Sequence, residues 1–388
     1  MRGVLLFLVA LTACACSASA IASQEPSAAS RPSFDQLLQA AEKARDDNRS
    51  DESVRLFRRA LSEQPESEQA LWYLGTLLYE KEQYVEAREV LRQFVTLRPD
   101  AGPAWALLGL CEFQLRAYPR ALDHLQRAVA RGMGDRKELA QSVYYHVVIL
   151  LTRFERYDDS MDLLQKMLSS GPPDPALVEP AGLSGLRLPL LPAEIPPDRR
   201  ELVDLAGQAV LTMETQHYEK GESEFKQLVT AYPNEPGVHF LYGASLVQLH
   251  PDEAVREFER ELEISPSHVL ARVRLAEQLI AQHDYDRALA LVQQAIKLDP
   301  KRVSAHMLAG EALLAKGNAG DGIKELETAR DLDPTVVRAH WDLLRADMAA
   351  GRKEDADREK QVIEKLSDRN SRSRPRDAGD NPHDQSAP

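Results

Sequence analysis

The stretch Trp105–Ala128, WALLGLCEFQLRAYPRALDHLQRA, decides how this chain is read. Two of its residues suggest chemistry: Cys111, the only cysteine beyond position 16, and His124, thirteen residues further on. Other residues keep time with the rest of the chain. Gly109 stands 34 residues after Gly75, Tyr118 34 after Tyr84, and Ala121 34 after Ala87. Pro65 and Pro99 have the same separation, as do Pro266, Pro300 and Pro334, Ala254 and Ala288, and Ala295 and Ala329. A fixed period in this range marks an array of supersecondary units, each too small to bury its own apolar face. In that frame Cys111 is the tenth residue of its unit, where Ser245, Ala312 and Ala346 stand in others. The slot asks for a small side chain. A nucleophilic thiol needs instead an exposed site that stabilises its thiolate.

The residues resemble the tetratricopeptide repeat, a helix-turn-helix unit that opens W-x2-L-G and closes on a proline. Trp105, Leu108 and Gly109 supply the opening, and Tyr118, Ala121, Leu125 and Ala128 the second helix. The pattern is broken at Glu112, where a large apolar residue is expected, and at Met133, where the proline should stand. Units fit residues 34–67, 68–101, 102–135 and 141–174, then 202–235, 236–268, 269–302 and 303–336, with a ninth from 337 that fades into polar residues. The resemblance implies an all-α fold: a right-handed α-solenoid of about nine helix-turn-helix units in two arrays, 34–174 and 202–366, the second ending in a capping helix. Small residues at the eighth, twentieth and twenty-seventh positions let paired helices approach, and the proline ends the second helix because it cannot continue the hydrogen-bond ladder. Stacked pairs enclose a concave groove.

Between the arrays, residues 175–201 read as a proline- and leucine-rich linker. The wider stretch 171–200 holds eight prolines and shows no helical period. Leu183, Leu186, Leu188, Leu190, Leu191 and Ile195 make it unusually apolar for a spacer. Two readings stay open: a segment docked on one array, in its groove as an internal plug, or a semi-rigid spacer over exposed helix ends. Residues 367–388 lack apolar side chains and are expected to be disordered.

Residues 1–22, MRGVLLFLVALTACACSASAIA, have the order of a secretory signal peptide: Arg2, an apolar run, then small residues, with cleavage expected after Ala20 or Ala22. The run Leu11-Thr12-Ala13-Cys14 also resembles a bacterial lipobox, the alternative in which Cys14 carries a lipid and tethers the protein to a membrane. Residues 23–33 form a polar spacer. These features lead to an exported protein, periplasmic or secreted, or a lipoprotein. Cleavage leaves Cys111 as the single thiol, so the fold must stand without an internal disulfide.

Asp and Glu number 61 against 48 Lys and Arg, a net charge of −13. That balance argues against nucleic acid or an anionic bilayer as principal partner, since both call for a concentrated basic surface. Catalytic signatures fail. Gly182-Leu183-Ser184-Gly185 misses G-x-S-x-G at Leu186, and no phosphate loop, H-E-x-x-H or EF-hand loop is present. His306 and His340 share the fourth position of consecutive units. Stacked helices hold such positions roughly 8–10 Å apart, too far for one zinc at about 2.0–2.1 Å from each nitrogen. Neither an enzyme nor a cofactor is expected.

The resemblance further implies which residues face the groove: the second, fifth, ninth, twelfth and thirteenth positions of each first helix. Carried over, these are Trp72, Thr76, Tyr79, Phe113, Tyr145, Ile149 and Arg153 in the first array, and Phe240, Val247, Glu277, Met307, Glu311, Leu314, Trp341 and Arg345 in the second. Their aromatic and aliphatic character suits an extended or helical peptide. The Lys and Asn set by which chaperone-binding relatives clamp a C-terminal carboxylate is missing. The expected function is a scaffold that binds another protein or peptide in assembly or maintenance of a bacterial cell envelope. The alternative is a structural subunit or lipoprotein of an envelope complex that acts through its convex face or lipid tether; an enzyme or sugar-binding module comes third.

Overall fold

The computed structural model describes residues 32–169 and 174–373. The expected leader 1–22 with Cys14, most of the 23–33 spacer and residues 374–388 lie outside the described residues. Among those described there are nineteen α-helices and no strand, and no helix is long and apolar enough to cross a membrane. The chain divides into two compact units, one up to Arg98 and one from Pro99.

The first unit contains α1 (Phe34–Asp46), α2 (Ser50–Glu63), α3 (Glu68–Glu80) and α4 (Tyr84–Leu97). Ser33 opens α1 with a capping box to Gln36. The second unit begins with α5 (Gly102–Gln114), α6 (Tyr118–Arg131), α7 (Lys137–Arg153) and α8 (Tyr157–Leu168), followed by a short helix, α9 (Val178–Gly185). Pairing then resumes with α10 (Arg200–Glu214) and α11 (Tyr218–Ala231), α12 (Val238–Leu246) and α13 (Pro251–Ile264), and α14 (Val269–Ala281) and α15 (Tyr285–Leu298). It ends with α16 (Val303–Ala315) and α17 (Ala319–Leu332), then α18 (Val337–Ala349) and α19 (Lys353–Ser373). Among the described residues nine pairs result, two in the first unit and seven in the second, an all-α fold of the tetratricopeptide-solenoid class.

Eight of the nine pairs are built alike, α18 and α19 being the exception. In each of the eight, one large side chain of the second helix is sealed from water: Phe57, Leu91, Leu125, Leu164, Phe225, Phe258 and Val292 at 0% exposure and Leu326 at 1%. Each such burial stabilises by about 1.5–3 kcal/mol. Where the eighth position is glycine it makes room for that side chain: a Cβ on Gly109 would lie 2.7 Å from Leu125 Cγ. The turn inside the pair closes by doubled backbone bonds, as where Arg116 N donates to Phe113 O and Ala117 N to Glu112 O. Arg116 takes φ +57 there, a left-handed value usually given to glycine. Where Met133 replaces the usual proline, Gly132 ends α6 with φ +77, and Met133 itself is buried.

The Pro/Leu-rich segment departs from both sequence readings in form. It contains α9, which packs against α7, α8 and α10. Gly182 and Gly207 let α9 and α10 meet almost backbone to backbone: a Cβ on Gly182 would fall 2.0 Å from Val203 O, and one on Gly207 1.9 Å from Val178 O. Leu183, Leu186, Leu191 and Ile195 are buried, and Leu188 and Leu190 are partly so. Prolines at the flanks hid the helix from periodicity, and this stretch is core, within the second compact unit. The division of the chain falls instead at Arg98/Pro99. The tail reading also shifts, because α19 continues through position 367 to Ser373.

Candidate binding groove

Sequence patterning placed ligand-facing residues on the first helix of each pair, and the two compact units carry them differently. In the first unit, Trp72, Thr76 and Tyr79 are half-buried on α3. Trp72 lies 5.5 Å from the Phe94 ring and Tyr79 5.8 Å from Tyr84, while the Thr76 hydroxyl donates to Tyr73 O at 3.0 Å.

In the second unit, Phe113 packs edge-on against His146 at 4.5 Å, and Tyr145 lies 5.3 Å from the same imidazole. Burial pushes the Tyr145 hydroxyl pKa up and that of His146 down. Ile149, expected at the groove, is 2% exposed and belongs to the core. The long α7 packs against α9, and its Val148 and Tyr145 join the cluster that holds Leu183 and Leu186 of the α9 segment. Arg153 is used by the same segment: its Nη1 donates to Pro189 O at 2.7 Å and lies 3.2 Å from Glu194.

Further along, first helices converge on a cleft of about 320 Å³. Phe240 of α12, Leu270 and Val273 of α14, and Met307 and Leu308 of α16 give it an apolar lining. Phe240 and Met307 are each 7% exposed, so they form the floor of this cleft and offer little open surface. Four arginines (Arg187, Arg274, Arg302 and Arg338) stand around that floor against two carboxylates, Asp158 and Glu277. Asp158 comes from the first turn of α8 and Arg187 from the turn after α9, where its guanidinium lies 4.4 Å over the Tyr157 ring. The arginines are engaged at rest: Arg187 with Asp158 at 3.2 Å, Arg274 with Glu277 at 3.0 Å, Arg302 with Asp299 at 2.9 Å and Arg338 with Glu311 at 3.3 Å. Such solvent-accessible pairs are worth about 0–1 kcal/mol, so incoming carboxylates can exchange with the resident ones.

A second cleft of about 320 Å³ lies between α16 and α18, where Glu311, Leu314 and Arg345 meet Asp342, Ala346 and Ala349. Val247 is half-buried on the α12 side, and Trp341 is 48% exposed on α18 without lining either cleft. The structure thus brings Phe240, Glu277 and Met307 into one cleft and Glu311, Leu314 and Arg345 into another. Sequence reasoning missed the arginines. Arg338, Leu270 and Ser304 hold the second position that the repeat rule itself names. Arg187 carried no signal because it follows α9, outside the repeat frame, and Asp158 because it lies on α8, a second helix, where the rule names only first-helix positions.

The thiol–imidazole pair does not form as a site. Cys111 is fully buried, and His124 Nδ1 lies 2.7 Å from Glu112 Oε2. Glu112, 1% exposed, is the odd carboxylate of the opening stretch. Among the described residues no cluster of three or more His, Cys, Asp or Glu could hold a metal ion.

Stacked helix pairs with this period define a repeat scaffold, and a tetratricopeptide-repeat family model matches residues 38–102, 82–136, 246–302 and 273–336. The chain therefore contains tetratricopeptide repeats both before and after α9. Among solved structures it is similar to a crystal structure of MamA, at 15% identity and a TM-score of 0.40, over 42% of this chain and 96% of that one. A MamA from Desulfovibrio magneticus RS-1, residues 41 to the end, is 21% identical with a TM-score of 0.39, over 45% of this chain and 97% of that one. Among curated proteins, the general transcriptional corepressor trfA of Dictyostelium discoideum is 27% identical over 118 residues, 30% of this chain. The match spans only 8% of the corepressor.

Proposed function

We propose that this protein is a non-enzymatic scaffold that binds a peptide segment of another protein in the cleft lined by α12, α14, α16 and α18. The observation that carries the reading is the combination of an apolar floor with four arginines against two carboxylates, in a chain whose net charge is −13. It favours a segment with an apolar anchor flanked by acidic side chains. Tetratricopeptide domains generally mediate protein–protein contacts, which supports the same class of function. The leader 1–22 extends the reading to an exported protein that works in a bacterial envelope. Its lipobox-like run supports a second reading, tethering through Cys14.

Crosslinking and pull-down from the native envelope fraction, repeated with Met307→Arg and with Arg274→Glu/Arg338→Glu, tests the cleft. Truncating a central anchor contact commonly costs at least about 2 kcal/mol, roughly 30-fold in affinity. Partners captured equally well by the wild type and both variants would remove the cleft from the account. Mass spectrometry of the mature N-terminus separates a terminus after Ala20 or Ala22 from a diacylated Cys14.

A further inference from the structure

At the fourth position of several first helices, a side chain reaches back six residues to the carbonyl of the proline that ended the preceding pair. Trp105 Nε1 donates to Pro99 O at 3.0 Å, and an Arg272 guanidinium N–H donates to Pro266 O. Three histidines do the same job from Nε2: His239 toward Pro233 O at 3.1 Å, His306 toward Pro300 O at 3.1 Å and His340 toward Pro334 O at 2.9 Å. Each bond pins the loop between two pairs onto the helix that follows it. Indole and guanidinium groups donate at any ordinary pH; an imidazole has two nitrogens and, when neutral, one N–H.

The other nitrogen of each ring also meets an oxygen. Nδ1 of His239 lies 2.6 Å from Glu257 Oε2, that of His306 2.6 Å from Glu325 Oε2, and that of His340 2.5 Å from Glu359 Oε2. Every ring therefore sits between a peptide carbonyl, which never donates, and a carboxyl group. Both contacts are satisfied together only while the ring and carboxyl group hold two protons between them. With one, a lone pair faces a lone pair at histidines that are 8%, 6% and 2% exposed; of their carboxyl partners the Glu359 side chain is equally sealed at 7%, whereas those of Glu257 and Glu325 are more open at 18% and 32%. The permanent donor Arg272 faces an amide instead: its Nε donates to Gln294 Oε1 at 3.2 Å.

The charged groups facing the rings come from more than one element. His239 of α12 meets Glu257 and, opposing it, the positive charge of Arg260, both on α13. His306 of α16 meets Glu325 of α17. His340 of α18 meets Glu359 of α19, whose second oxygen is held by Arg330 of α17 at 2.9 Å. We infer that the loops entering α12, α16 and α18 are proton-dependent latches, closed while each ring–carboxyl pair keeps its second proton and slack when it leaves, whereas the loops entering α5 and α14 are latched permanently. The direction at His239 agrees: its hydrogen bond to Glu257 raises its pKa above 6.5 despite burial. A raised value means that the contribution is fully present below 6.5 and is lost as pH rises through the folded value. The inference does not depend on what the cleft binds.

Amide hydrogen exchange on the full chain, corrected for the intrinsic chemical rate, tests it between about pH 5.5 and 8.5, the range where histidines titrate. Amides in 233–241, 299–308 and 333–342 are expected to lose protection roughly three- to tenfold on the alkaline side, while those in 99–107 hold theirs; 266–274 does not serve as a control, because His268 there lies 2.9 Å from the buried Glu261. The double variant His306→Arg/Glu325→Gln, which sets a permanent guanidinium donor beside a neutral amide as at Arg272, should abolish the change at 299–308 alone. A pH response at 99–107 equal to that of the three histidine loops overturns the inference. That comparison is made on the wild type, so it stands even where the variant fails to fold.

Discussion

Gly109 and Gly320 are the same residue type under opposite constraints. A side chain on Gly109 would collide with Leu125, whereas nothing lies within 4 Å of a Cβ on Gly320, near the start of α17. Gly109→Val should therefore cost about 1–3 kcal/mol by overpacking. Gly320→Ala should gain about 0.4–1 kcal/mol through lost chain entropy in the unfolded state. Urea unfolding of the two variants checks both signs. His146 offers a second test at this scale. Burial lowers its pKa from 6.5, so the neutral ring is favoured. Its contribution is in place above about pH 6.5 and is lost as pH falls through that value towards the lower folded one. His146→Gln should flatten the acid side of the stability profile relative to wild type, and an unchanged profile would refute this. Cys111 was legible from its place in the period. Glu112 was not, because the same pattern treats a glutamate there as an error, and only the fold shows His124 standing over it.

Among the elements, the paired helices were readable and α9 was not. A helix of eight residues offers about two turns of periodicity, and its flanking prolines read as breakers. Its packing relies on Gly182 and Gly207, which in a sequence look like flexibility and in the fold allow contact between two backbones. Gly207→Leu should separate α9 from α10 and expose Leu183 and Leu186, so that thermolysin, slow against the native wild type, cuts rapidly within 183–195. Fast cleavage of the unmodified protein there would contradict the packed segment. The positions read as groove-facing end up in different surroundings: Ile149 is buried in α7, which packs against α9, whereas Phe240 and Met307 floor the cleft.

Across the second unit, α19 closes the end of the stack. Ala356, Glu359 and Ile363 face inward, against an α18 whose Ala339 and Leu343 are at 0% and 1% exposure. Terminal repeats need such a cover, since each pair otherwise presents an apolar face to water. Deleting residues from 352 onward should leave α18 frayed and the protein prone to association, read as loss of protection in α18 and larger species in light scattering. The acidic total charge said nothing of the local arginines around the cleft, because charge summed over a chain carries no position.

His239, His306 and His340 each precede by one residue a position read as facing the ligand: Phe240, Met307 and Trp341. A peptide that seats firmly on Phe240 and Met307 steadies the helices whose entry loops the protonated pairs hold closed. Affinity and proton occupancy are then two faces of one coupling free energy, and each must move the other by the same factor. Peptide binding near neutral pH should accordingly draw protons from solution, so its calorimetric heat should differ between phosphate and Tris in proportion to their heats of ionisation.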